Sequence, residues 1–429
     1  MYIRVGLFLL VGIGCWISGC DKGTGVNPED LTATIAGWVV DDIGFSKRQG
    51  GLEKVKIQAA ELVSDGSLRV LGGETKSDAE GHYQLQTEPT PNVVVVRGER
   101  DLFRRTLLVD GGLPDGGTVQ VGPMTIETSS ETEVYFEVHA LNTPEAEQTS
   151  VADVALRINS RAGLDIHERG VNRASVAEVI VRGVNTRHTF LRLSSTIFDT
   201  QLQVAIAARR EAYRQYQKSM YEAGMDATKR AEAIERFERA AIEAYRNQGI
   251  SGEQVALALH VEAEAIKFFA NQKQVTGNTL LGLLQRAYLQ FAWAATGEIE
   301  QLIVNQIPGN EVPDTLVAAR QALRRGINTA TASGGGISQA FAAYKTAVVQ
   351  YLSTEGLLDQ NQVDSLLTLL AEGPAAVLKG RLQASTPPEG FASAYVQYRS
   401  SAYQLLNQAL AEQIDGSVYI NLLLLLGLM

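Results

Sequence analysis

The sequence predicts two folded domains of different class, a small β domain followed by a large all-α domain. Three observations carry this reading. The chain has 429 residues, more than one compact core usually organises. As far as Ile126 it is built of short β-branched runs between Gly, Asp and Ser turn formers. Beyond Ile126 it changes to long segments rich in Ala, Leu, Gln, Glu and Arg, with apolar residues three and four apart. Hydrophobic residues make up 45% and charged residues 20%, a globular balance with ample side chain to bury.

The first element is not part of either fold. Arg4 gives a short positive start, and Val5 to Ile17 is an apolar run too short for a stable bilayer-spanning helix, which needs about 20 residues. Residues 1–19 therefore read as an export signal. The run ends in Ile17-Ser18-Gly19-Cys20, which resembles the lipobox of bacterial lipoproteins: an aliphatic residue, two small residues, then the acceptor cysteine. The resemblance implies cleavage before Cys20, lipid on its sulfur and a mature chain held at a membrane of the cell envelope. Residues 20–30, polar and containing Pro28, read as a flexible tether. Asp21 follows the cysteine directly, which resembles an inner-membrane retention signal in some proteobacteria; inner and outer membrane both stay open.

Composition narrows the chemistry. The only cysteines are Cys15 and Cys20, so the mature chain has one cysteine, no internal disulfide and no thiolate in its folded body for zinc or for nucleophilic attack. The formal charge is −10, and losing Arg4 with the signal makes it one unit more negative. That argues against nucleic acid as a partner.

The β domain is placed at residues 31–127. Ala33 to Val40, Val55 to Ala59 and Leu68 to Leu71 read as short strands, as does Thr118 to Ile126, while Val93 to Val96 suits a strand buried on both faces. Thr75 to Leu85 reads as strand, tight turn and strand, with Gly81 supplying a positive φ and Tyr83 and Leu85 sharing one face. The series Ile35-x-Gly37-x-Val39, Gly51, Val55-x-Ile57 and Thr75-x-Ser77-Asp78-x-x-Gly81-x-Tyr83-x-Leu85 resembles the carboxypeptidase regulatory-like, or transthyretin-like, domain. The resemblance implies a small antiparallel β-sandwich acting as a spacer, adhesion or docking module. The peptidase that names this family needs a His-x-x-Glu pair, and none of His82, His139, His167, His188 or His260 is followed by glutamate at that spacing.

The all-α domain is placed at residues 128–415. Ser130-Glu131-Thr132-Glu133 fits a capping box for a helix to about Asn142, although Val134 to Val138 is β-prone and suits a last strand as well. Further helices are expected at Ser150 to Ala162, Arg173 to Val184, Thr189 to Gly224, Asp226 to Gln248, Gly252 to Gln274, Asn278 to Ile307, Val312 to Thr331, Ile337 to Thr354, Gln360 to Leu382 and Gly390 to Asp415. Leu202, Ile206, Arg209, Tyr213, Tyr216 and Met220 form a seam that Ile234, Phe237, Ala241 and Ala244 continue across a turn near Gly224, the pattern of a helical hairpin. The helix from Asn278 carries little polar face before Glu298 and is expected to be surrounded by others. The apolar tail, residues 416–429, holds five consecutive leucines from Leu422 and is expected to be buried against the bundle.

Chemical motifs are sparse. His260 and Glu264 share a helical face and are the weak metal candidates, with Glu262 nearby; no second ligand pair accompanies them, and no metal or cofactor is expected. The sequence reading is thus a non-catalytic, membrane-anchored envelope lipoprotein whose β-sandwich presents a helical domain to a protein or glycan partner. The alternative is an envelope hydrolase of unrecognised type with carboxylates in a cleft of the helical domain.

Overall fold

A computed structural model describes residues 31–41, 50–155, 157–306, 311–330, 335–410 and 416–429. The export signal with Ile17, Ser18, Gly19 and Cys20, and the tether after it, lie outside the described residues. The chain divides into two compact units, Met1–Thr132 with Gln217–Arg230, and Glu133–Tyr216 with Ala231–Met429.

The first unit is a β region. Its strands are β1 (Ala33–Val39), β2 (Lys56–Leu62), β3 (Leu68–Lys76), β4 (His82–Thr87), β5 (Val94–Arg100), β6 (Phe103–Val109) and β7 (Thr118–Met124). They form a three-stranded sheet, β4-β1-β7, and a four-stranded sheet, β3-β2-β5-β6. Ile35, Ile57, Leu71, Leu85, Val96, Leu107 and Val121, one from each strand, belong to a single buried core. The expectation of purely antiparallel pairing fails at one place, since β1 runs antiparallel to β4 but parallel to β7.

The segment Thr75 to Leu85 also differs from a simple hairpin. Gly81 has φ +85°, as expected, and Asp78 Oδ1 accepts from the N–H groups of Glu80 (3.1 Å) and His82 (2.8 Å). The Val39 N–H, however, donates to the Gly81 carbonyl at 2.8 Å, so β4 continues into the sheet of β1 and leaves β3 in the other sheet. Gly51 backs this turn: a Cβ there would fall 1.7 Å from the Glu80 carbonyl oxygen, which explains a glycine at that position. Sequence reading missed β6, because Arg104 and Arg105 interrupt its apolar pattern; Arg105 is nonetheless buried, its guanidinium 5.1 Å from the Phe103 ring centre.

Residues 217–230 complete the first unit. Tyr221 meets His82 edge-on at 6.3 Å, His82 stacks on Trp38 at 6.2 Å, and the Arg230 guanidinium lies 5.4 Å over the Trp38 ring. Gln217 Nε2 donates to the Leu108 carbonyl at 2.7 Å. The β sheets are thus packed by a helical segment that begins at Gln217, far beyond the last strand, which ends at Met124.

The helices are α1 (Ile126–Ala140), α2 (Pro144–Glu147), α3 (Val151–Ala155), α4 (Ser160–Glu168), α5 (Arg173–Ser194), α6 (Asp199–Ala223), α7 (Ala227–Arg246), α8 (Gly252–Gln272), α9 (Gly277–Gln306), α10 (Asp314–Thr329), α11 (Gly335–Thr354), α12 (Gln360–Leu370), α13 (Ala376–Ala384), α14 (Glu389–Leu410) and α15 (Gly416–Leu428), with a π-helical turn Ala371–Ala375 between α12 and α13. Of the two readings of Val134 to Val138, helix is the one observed, but Ser130 does not start it. Thr125 and Thr128 exchange the capping bonds, and the Ser130 hydroxyl donates back to the Ile126 carbonyl at 3.0 Å from inside the helix.

Other boundaries move for equally local reasons. Asn159 accepts from the N–H groups of Arg161 and Ala162, so a new helix starts where continuous helix was expected. α5 runs through Gly183, because a side chain there would meet Ile266 of α8 at 2.7 Å; the glycine serves close packing, and the break comes at residues 195–198. Pro374 sits in the π turn that divides the helix expected from Gln360 to Leu382.

Within the second unit α8 packs between α5 and α9, and α9 also touches α4, α10 and α15. The expected central position of α9 follows from its residues, with Phe291, Ala295 and Ile299 buried. α15 is covered too: Leu423 to Leu426 expose nothing. Among the described residues no helix is long and apolar enough to cross a membrane.

Candidate functional site

The helical unit buries an ionic network that the sequence reading did not assemble. Its members come from separate elements: Asp153 on α3, Arg157 just after it, Arg187 and His188 on α5, Arg209 on α6, Glu262 on α8 and Gln290 on α9. Arg187 stands at the centre. Its Nη1 donates to Glu262 Oε2 and its Nη2 to Asp153 Oδ1, both at 3.0 Å. Arg157 holds the other Glu262 oxygen through Nε (3.1 Å) and Nη2 (2.6 Å), and reaches Gln290 Oε1 at 2.5 Å. Arg209 donates to Asp153 at 2.9 Å and to the Tyr245 hydroxyl at 3.2 Å. Ser150 adds its N–H (3.1 Å) and hydroxyl (2.8 Å) to the second Asp153 oxygen.

The electrostatics follow from burial. Desolvation alone would raise both carboxyls, but Arg187 and Arg209 around Asp153, and Arg157 and Arg187 around Glu262, outweigh it and hold both below the usual carboxylate range. Burial, reinforced by Arg187, keeps the His188 imidazole neutral well below its ordinary titration. Because a guanidinium only donates, the 3.1 Å contact of Arg187 Nη2 with His188 Nε2 makes Nε2 the acceptor and puts the ring proton on Nδ1. Asp153, Arg157, Arg187 and Glu262 each expose 1% or less of their surface, so these charges meet each other and not a substrate.

The sequence-selected pair sits elsewhere on α8. His260 Nδ1 lies 2.5 Å from the Tyr395 hydroxyl of α14, and its ring is 4.7 Å from Phe291, edge to face. Burial lowers its pKa to about 4. Glu264 accepts from the Tyr288 hydroxyl at 2.8 Å and from Lys267 at 2.9 Å. Both candidates are thus engaged with aromatic and cationic neighbours, and among the described residues no three His, Cys, Asp or Glu side chains gather as a metal site. Tyr395→Phe tests what the tyrosine hydroxyl does for His260. Losing this partner should cost about 1 kcal/mol in denaturant unfolding, with the helix content unchanged.

The helical unit also has an open groove of about 340 Å³ between the end of α5 and α14, lined by Leu193, Val396, Arg399, Ser400, Tyr403 and Asn407. Its floor is fixed from below: Arg399 Nε and the Tyr403 hydroxyl donate to the buried Glu253 carboxylate, each at 3.1 Å. Leu193 is 52% exposed on its rim, and Phe198, in the turn after α5, is 73% exposed. No protein-family profile, curated protein or solved structure matches the chain.

Proposed function

We propose that the chain is an exported lipoprotein, anchored through lipid on Cys20, whose β region of the transthyretin-like sandwich type carries a non-catalytic helical domain for binding or assembly in the cell envelope. The observation that carries the anchoring is Ile17-Ser18-Gly19-Cys20 directly behind an apolar run of signal-peptide length. Two features of the helical unit support the non-catalytic part. Asp153 and Glu262 are committed to arginines inside a sealed core, where neither carboxylate can exchange protons with a substrate. The groove between α5 and α14, by contrast, is open and combines apolar Leu193 and Val396 with polar Arg399, Ser400, Tyr403 and Asn407, a mixed lining that suits contact with a partner. The enzyme alternative would need carboxylates in a cleft of the helical domain, which Asp153 and Glu262 do not provide.

Anchoring is tested in cells supplied with a labelled fatty acid. Cys20→Ala should abolish labelling and leave the chain either soluble or unprocessed, with its apolar signal still attached, because lipid on Cys20 is the attachment proposed. A Cys20→Ala chain that still enters the detergent-extracted fraction and is normally processed would overturn the reading. For the binding domain, the native chain should retain a defined envelope protein or glycan on an affinity column and show no turnover across a hydrolase substrate panel; turnover would support the enzyme instead.

A further inference from the structure

The groove between α5 and α14 holds a guanidinium that the fold uses only in part. Arg399 Nε donates to both oxygens of the buried Glu253 carboxylate, each at 3.1 Å, and the Arg399 Cζ lies 4.9 Å from the centre of the Tyr403 ring. These contacts fix the plane of the group. Its Nη edge, which carries most of a guanidinium's N–H donors, has no partner among the described residues, and the side chain is 29% exposed where it lines the groove. The other wall offers a second polar group of the same kind. The Ser194 carbonyl, at the end of α5, accepts from Gln254 Nε2 at 2.5 Å, but the buried Ser194 hydroxyl oxygen has no partner among the described residues. Buried hydroxyls are ordinarily paired, so this one marks a place for an incoming polar group. Between the two stand Leu193, 52% exposed, and Val396.

We propose that this groove takes an acidic peptide segment, with a carboxylate on the Nη edge of Arg399 and a neighbouring apolar side chain against Leu193 and Val396. The proposal rests on the reading of the helical unit as a binding domain and names the chemistry of its partner. A carboxylate matches the planar fork of a guanidinium with two parallel hydrogen bonds, and the fork is held in place before the ligand arrives. Val396, Ser400, Tyr403 and Asn407 follow one stripe of α14, three and four residues apart, so the lining runs along the helix and suits an extended segment whose amides pair with Ser400 and Asn407. A sugar is the poorer occupant, because the Arg399 guanidinium already covers the Tyr403 ring on which a sugar face would lie. Glu253 balances the Arg399 charge from below, so discrimination comes from the geometry of the fork and not from a long-range field.

The test is a titration of the full chain in detergent, read by NMR of the assigned Leu193 and Val396 methyl groups, with the capped tripeptide Leu-Glu-Leu, its neutral counterpart Leu-Gln-Leu, and glucuronate. Leu-Glu-Leu should shift both methyl signals to saturation, and Leu-Gln-Leu should bind about tenfold more weakly, the loss of one charge-assisted pair. Arg399→Lys keeps a cation beside Glu253 and removes the fork, so it should bring Leu-Glu-Leu down to the level of Leu-Gln-Leu. Leu193→Glu, at an exposed position where folding is not at stake, should abolish binding by placing a like charge on the rim. Equal binding of the two tripeptides, saturation by glucuronate in place of Leu-Glu-Leu, or no saturable shift with any probe overturns the proposal. An Arg399→Lys chain that still retains its envelope partner on the affinity column would also overturn it while leaving the binding domain standing, whereas turnover on the hydrolase panel is the result that removes the binding reading itself.

Discussion

Replacing Arg187 by alanine should destabilise the helical unit by about 3–5 kcal/mol, because it strands charges rather than simply deleting a contact. Among the described residues Arg187 is the side chain that touches both carboxylates, Glu262 at 3.0 Å and Asp153 at 3.0 Å. Without it Glu262 keeps Arg157 and Asp153 keeps Arg209, each pair one charge short of the field that now holds the carboxyls ionised in a dry core. Burial would then gain the upper hand, and one or both acids would take up a proton. Arg187→Lys should recover only part of the loss, since an ammonium cannot span two carboxylates with the planar fork of a guanidinium. Denaturant unfolding read by far-UV circular dichroism measures both variants; an Arg187→Ala cost below about 1 kcal/mol would mean that the network is hydrated and not the closed lattice described above.

The same network sets an acid limit for the native protein. The ordinary values of Asp153 and Glu262 are 3.8 and 4.5, and both are lower in the folded chain. Their stabilisation is therefore complete above those values and is lost as the pH falls towards the folded ones.

Local chemistry was legible in the sequence, and long-range chemistry was not. Asp78 and Gly81 fix a turn with atoms four residues apart, so the turn could be read, but which strand β4 joins depends on Val39 and Gly51, far back in the chain. Amphipathic spacing located most of the helices. It placed Arg209 on the apolar seam of α6 beside Ile206 and Tyr213, and that misplaced charge was the one visible sign of the buried network. Arg157, Arg187 and Glu262 gave no such sign, because a charged residue on a helix is ordinarily solvated. Their contacts join positions 75 and 105 residues apart, a pairing that no periodicity encodes. The candidate pair His260 and Glu264 did lie on one face, but what each does is set by Tyr395 and Tyr288 from other helices.

Ending the chain at residue 415 should abolish cooperative folding of the helical unit, the largest effect predicted for any change in the folded part. The deletion removes α15, whose Ile420, Leu422, Leu423, Leu424, Leu425 and Leu426 are each 3% exposed or less. Full burial of such a side chain contributes about 1.5–3 kcal/mol, so even after discounting for a compact unfolded state the helix accounts for roughly 10 kcal/mol. A domain's whole stability is about 5–15 kcal/mol. The loss reaches further than the helix itself, because α15 covers apolar residues that stay behind. Leu370 of α12 packs where a Cβ on Gly427 would lie 3.0 Å away, and the Tyr398 hydroxyl of α14 donates to the Leu424 carbonyl at 3.2 Å. Both would face water, one as a bare leucine and the other with its acceptor gone. The truncated chain should keep much of its far-UV helix signal, lose near-UV structure and bind a hydrophobic dye, the behaviour of a unit whose helices persist without fixed packing. Leu424→Ala gives a graded version of the same experiment, with an expected cost of 2–5 kcal/mol in the intact chain. A truncated chain that unfolds as sharply as the native protein, at a temperature within a few degrees of it, would mean that α15 lies on the bundle without supporting it.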